Sequence, residues 1–169
     1  AAVNGTPNSK VVEVTDAISA VIADQGGNTF GDTDVFLNGQ RIDIRSEETN
    51  FGNLAADANL EFAQSIDPEV TISLRNGGGI RDSIGEVVTP AGSTSVEDVE
   101  FLPPQANEIA GTEDGEISQL DIANSLSFNN GISLVTVTAE ELLALVENGV
   151  SESEPGAEPG RFPQIAGFS

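Results

Sequence analysis

Three consecutive glycines, Gly77-Gly78-Gly79, stop a short apolar run from Val70 to Leu74 and are followed at once by Ile80 and Arg81. Each residue without a Cβ costs backbone entropy on ordering, so three in a row suit a place where the backbone must come close to something else. The β-branched content of Val70 to Leu74 predicts a buried strand leading into this loop. Two readings of the loop follow. Either the glycine N–H groups and a nearby guanidinium hold an anion, or the run is a flexible turn with a surface arginine.

Around that stretch, 169 residues at 38% hydrophobic content support one domain with a sizeable core. The formal net charge is -22, with 28 acidic residues spread along the chain against six basic ones. Such a surface repels nucleic acid and anionic membrane and suits solubility or a salty habitat. Cys and His are both absent, which removes disulfides, the usual ligands of zinc and most transition metals, and the common thiol and imidazole catalysts. A carboxylate site for calcium or magnesium stays open, but Asp32 and Asp34 lack the spacing of a calcium loop and read as a solvated loop; without His or Cys, no independent catalysis is expected of this chain. A chain that begins at Ala1 and contains no Met is expected to be cut from a longer precursor. No apolar span long enough for a transmembrane helix is present.

Taken in order, residues 1–9 are predicted as a leader or linker, and 10–169 as the domain. Ser9 is a candidate cap for a helix over about 10–24, where Val11, Val14, Ile18, Val21 and Ile22 recur at helical spacing. Asn28 to Leu37 alternates as a strand that enters a tight turn at Asn38-Gly39. If the next segment is extended, Arg41 and Arg45 project from one face, either toward a ligand or toward Asp43, Glu47 and Glu48. Thr49 or Asn50 caps a helix running to about Ser65. Residues 85–117 read as an elaborated loop insertion, with a short hairpin around Val96 to Leu102. A short helix over 117–126 precedes Ser127-Phe128-Asn129-Asn130, where Phe128 by default anchors the core. A strand is predicted from Ile132 to Val137. Thr138 and Glu141 then form a capping box for a helix carrying Leu142, Leu143, Leu145, Val146 and Val150. After the acidic linker 151–160, Arg161 to Phe168 starts a last apolar run: either a domain cut short or a C-terminal edge strand. Helices and strands in irregular alternation predict an α/β (α+β) fold with a mixed sheet flanked by helices.

Several short motifs occur in a fixed order: Asn38-Gly39-Gln40-Arg41, Ile44 to Leu54, Asn76-Gly77-Gly78-Gly79-Ile80-Arg81, Ser127-Phe128-Asn129-Asn130, Leu134 to Leu142, and Phe162-Pro163-Gln164. Together they resemble the C-terminal, substrate-recognition domain of the 5'-nucleotidase, UDP-sugar hydrolase and 2',3'-cyclic nucleotide phosphodiesterase family, over residues 10–169. The resemblance implies that Arg41, Arg45 and Arg81 hold phosphate and orient ribose. It further implies that Asn76 contacts the nucleoside, that Phe128 covers one face of the base, and that Asn130 makes a polar contact nearby. Gly77, Gly78 and Gly79 are then one wall of the pocket. The second base-stacking phenylalanine of such domains is expected beyond Ser169. The implied partners are a nucleotide and an N-terminal metallophosphoesterase domain of the same precursor with two divalent metal ions. The implied location is extracellular, periplasmic or at the cell surface. The alternative is a non-catalytic extracellular surface or scaffold protein that retains the fold.

Overall fold

Apolar spacing and side-chain caps put the helices close to their expected positions in the computed structural model, which describes residues 5, 7–95, 98–154 and 156–168. Helix α1, Ser9–Val21, is capped one residue earlier than expected, by Asn8, whose side chain accepts from the Lys10 amide. It continues through a π-helical turn, Ile22–Gly26. Helix α2, Asn50–Ile66, is capped by Thr49, whose Oγ1 accepts from the Gly52 amide at 3.0 Å. Helix α3, Gln119–Ser125, opens on a capping box of Ser118 and Asp121. Helix α4, Ala139–Val150, opens on the expected box of Thr138 and Glu141.

The helices and sheet of an α/β chain are both present. Where the sequence suggested one mixed sheet, the described strands pair as three two-stranded antiparallel ladders. Strand β1, Thr29–Asp32, pairs with β5, Glu116–Ser118. Strand β2, Ser73–Asn76, pairs with β6, Pro163–Ala166, in a register that sets Arg75 opposite Gln164. Strand β3, Glu86–Val88, pairs with β4, Glu100–Leu102. Beside them the rings of Phe36 and Phe101 pack at a tilt of 47°, with centroids 5.0 Å apart.

The last apolar run, open between a domain cut short and an edge strand, forms β6 along β2. Two expectations are corrected. Residues Ile132 to Val137 are in no ladder, and Val135 is 77% exposed. Alternation reports fit to a pleated surface, but a strand exists only where another edge accepts its hydrogen bonds. The hairpin expected around Val96 to Leu102 is replaced by pairing of Glu100–Leu102 with Glu86–Val88, while Val96 and Glu97 lie outside the described residues. Most of the leader expected over 1–9 also lies outside them, and Ser9 already belongs to α1.

The core gathers Leu37, Ile44, Phe51, Ala55, Ile80 and Ile84, with Ile117 and Leu126 packed against it. Its two fully buried large residues, Ile44 and Ile80, each immediately precede an arginine, Arg45 and Arg81. Burying such a side chain is worth about 1.5–3 kcal/mol, so the same side chains that hold the core also fix where those two cations stand.

Candidate functional site

Asn38 builds the first half of the site. Its side-chain carbonyl accepts from the Gln40 amide at 2.9 Å, and its Nδ2 donates to Asp43 at 2.7 Å. The chain therefore coils into a short 3-10 turn, Asp43–Arg45, instead of the extended segment the sequence suggested. Residues four apart also share one side of a helical turn, so Arg41 and Arg45 still face together. Arg45 is buried and Arg41 exposed. Burial, then the neighbouring charges of Arg41 and Arg81, hold the Arg45 guanidinium below its ordinary pKa, while Glu158 pulls it upward. An arginine remains protonated at any physiological pH, so the consequence is a concentrated positive field and not a neutral group.

Gln164 on β6 clamps this turn from behind. Fully buried, it donates from Nε2 to the carbonyls of Ile44 at 3.1 Å and Glu47 at 2.8 Å, and accepts from the Thr49 amide at 3.3 Å. The sequence motif containing Gln164 was visible, but its task was not. A buried amide with donors and acceptors both occupied is a strong positional constraint, since an unpaired one would cost about 1–3 kcal/mol.

The glycine run supplies the second half through close backbone packing and not through free amide donors. A Cβ on Gly77 would lie 1.9 Å from the Ile44 carbonyl oxygen, and one on Gly78 would lie 2.6 Å from the Gly160 carbonyl oxygen. The Gly77 and Gly78 amides donate to the carbonyls of Phe162 at 2.7 Å and Gly160 at 2.8 Å. Those two N–H groups are occupied within the chain and are not an anion cradle. What approaches the glycine backbone is the arginine turn and the loop before β6. Gly79, also buried, leaves space beside the Asn76 side chain. The Asn76 Nδ2 donates to the Gly160 carbonyl at 3.1 Å.

Just past the glycines, the Arg81 amide donates to the Ser125 carbonyl at 2.8 Å, tying the loop to the end of α3. The Arg81 guanidinium sits over the Phe128 ring, 5.3 Å from its centroid. Phe128 is 57% exposed, which corrects its assignment to the core. It is held out on a turn in which Asn129 adopts φ 48°, a conformation that Asn tolerates better than most residues. Asn130 is exposed two residues further on and lines, with Phe128 and Asn76, a concavity of about 1750 Å³.

Three separated segments thus deliver Arg41, Arg45, Arg81 and Phe128 to one region, with Asn76 and the buried glycines beneath and Asn130 at the edge of the adjoining concavity. Guanidinium forks beside an aromatic face suit a ligand with an anionic group and a flat ring.

This arrangement can be set beside known proteins. The family model described as 5'-nucleotidase, C-terminal domain matches residues 28–113 and 105–169. The chain belongs to the 5'-nucleotidase C-terminal domain family. It is 29% identical over 161 residues to the trifunctional nucleotide phosphoesterase protein YfkN of Bacillus subtilis, covering 95% of this chain and 9% of that protein. It is 26% identical over 152 residues to a 5'-nucleotidase of Vibrio parahaemolyticus, covering 90% of this chain and 19% of that protein. The crystal structure of a 5'-nucleotidase precursor from Thermus thermophilus superposes with a TM-score of 0.66 at 27% identity, over 92% of this chain and 24% of the other. The chain therefore spans only about a tenth to a quarter of these relatives. Among the described residues no helix is long and apolar enough to cross a membrane.

Proposed function

We propose that this 5'-nucleotidase C-terminal domain is the nucleotide-binding, specificity-giving part of a secreted phosphohydrolase. Arg41, Arg45 and Arg81 hold the phosphate and orient the ribose, Asn76 contacts the nucleoside, Phe128 covers one face of the base, and Asn130 contributes a polar contact. Gly77 serves the pocket by letting the arginine turn pack directly on the loop, Gly78 by admitting the Gly160 backbone, and Gly79 by lying against the Asn76 side chain. The observation that carries this reading is the convergence of three of the chain's five arginines beside one exposed phenylalanine.

Two divalent metal ions are expected in the family's catalytic domain. The residues here do not fit them: no group of three or more His, Cys, Asp or Glu among the described residues is placed to hold an ion. We assign those ions to an N-terminal metallophosphoesterase domain of the same precursor, outside the cytoplasm, and no residue of this chain to bond cleavage. Family membership alone does not fix the substrate. The competing reading, a non-catalytic surface or scaffold protein, draws on the acidic surface of net charge -22 but needs no arginine cluster.

Calorimetric titration with adenosine monophosphate separates the two. The wild-type chain is expected to bind, and Arg81→Ala and Phe128→Ala each to bind more weakly, the latter by about 1–3 kcal/mol, the usual worth of a base-stacking aromatic. Equal binding by all three, or none by any, would sink the site assignment.

A further inference from the structure

We propose that Glu158 is an internal anion that occupies the arginine pocket in place of phosphate and competes with it; this rests on reading Arg41, Arg45 and Arg81 as the phosphate site. Glu158 comes from the acidic loop between α4 and β6. Its carboxylate is ion-paired with the Arg41 Nε, and its main-chain carbonyl accepts from the Arg45 guanidinium at 3.3 Å. One residue thereby touches both arginines of the turn.

The loop is seated, not merely nearby. The Gly160 carbonyl accepts from the Gly78 amide and the Asn76 side chain, the Phe162 amide donates to the Pro159 carbonyl at 3.2 Å, and Arg161 is ion-paired with Glu152. These anchors hold the loop whether or not the carboxylate stays on Arg41. Side-chain exposure of 60% for Arg41 and 34% for Glu158 leaves the pair in contact with solvent, so it is weak enough to open. A phosphate dianion offers more oxygens to the same guanidinium groups than one carboxylate can, and displaces it. When phosphate leaves, the carboxylate returns. Glu158 thus lowers affinity for every phosphate-bearing ligand, the released inorganic phosphate included, and leaves a neutral nucleoside unaffected. The exchange is a swap of ion-pair partners and breaks no covalent bond.

The test titrates the 169-residue chain with inorganic phosphate and, separately, with adenosine. Glu158→Gln keeps the shape and removes the charge, and is expected to tighten phosphate about two- to fivefold with adenosine unchanged. Glu154→Gln, one charge removed from the same loop at a residue that belongs to neither the Arg41–Glu158 nor the Arg161–Glu152 ion pair, controls for net charge and is expected to leave phosphate affinity as in wild type. In an Arg41→Ala background the effect of Glu158→Gln should disappear. Phosphate bound equally by wild type and Glu158→Gln, or more weakly by the variant, overturns the competition and leaves the pocket reading intact. Binding by neither overturns both.

Discussion

At the residue scale, close approach of backbone decides more than charge does. Gly77 is present because the Ile44 carbonyl stands where a Cβ would be. Gly77→Ala is expected to cost about 3 kcal/mol of stability in urea denaturation, the upper end of overpacking, because the backbone it meets cannot retreat. Gly31→Ala, with nothing within 4 Å of its Cβ, should cost far less. Similar losses at both positions would mean that the glycines matter through chain entropy and not through contact. The site inherits this precision, since a shift of the Gly77 backbone moves Ile44 and with it the neighbouring Arg45.

At the element scale, helix α4 is the most self-contained piece. Thr138 Oγ1 accepts from the Glu141 amide at 3.2 Å, and the Glu141 carboxylate accepts from the Thr138 amide at 2.8 Å. The Thr138 backbone amide, then its side chain, hold the Glu141 carboxyl below the usual glutamate range. A carboxyl depressed in the folded state contributes stability above its unfolded value, about 4.3, and loses it as pH falls through the lower folded value. Amide exchange in the first turn of α4 should therefore accelerate as pH falls below about 4 relative to the exchange expected for an open chain, and Glu141→Gln should abolish that extra acceleration. Thr138→Ala should destabilise the helix by about 1 kcal/mol, and an unchanged urea midpoint would show that the cap is dispensable.

At the scale of the whole molecule, two features stand against each other. The core is small, and apolar side chains remain exposed on α1 at Val11, Val14 and Ile18 and along Ile132 to Leu145. Over them lies a net charge of -22. Self-repulsion of that size opposes compaction and is screened within about 10 Å at 0.1 M salt. The melting temperature is accordingly expected to rise as sodium chloride is raised from about 0.01 to about 0.5 M and then to level off, because the Debye length has by then become shorter than the spacing of most surface charges. A melting temperature indifferent to salt would show that the acids are spaced too widely to repel.

The sequence by itself determined what is encoded within a few residues: the caps at Thr49 and Thr138, the courses of α2 and α4, and the ordered motifs that mark the family, while the apolar positions it suggested for α2, Leu54, Phe62 and Ile66, lie on its exposed face. It also named the four groups that meet, Arg41, Arg45, Arg81 and Phe128. Only the tertiary structure decided how they meet. Arg41 and Arg45 face together on a coiled turn and not on a strand, Phe128 is outside the core, Ile132 to Val137 has no ladder, and β6 lies along β2 from nearly ninety residues away. The physical reason is one of range. A cap is satisfied by neighbours in sequence, whereas a buried helix face, a strand edge, a buried Gln164 amide, a Cβ-free seat at Gly77 and the Glu158 carboxylate on Arg41 exist only once distant segments have been brought to the same place.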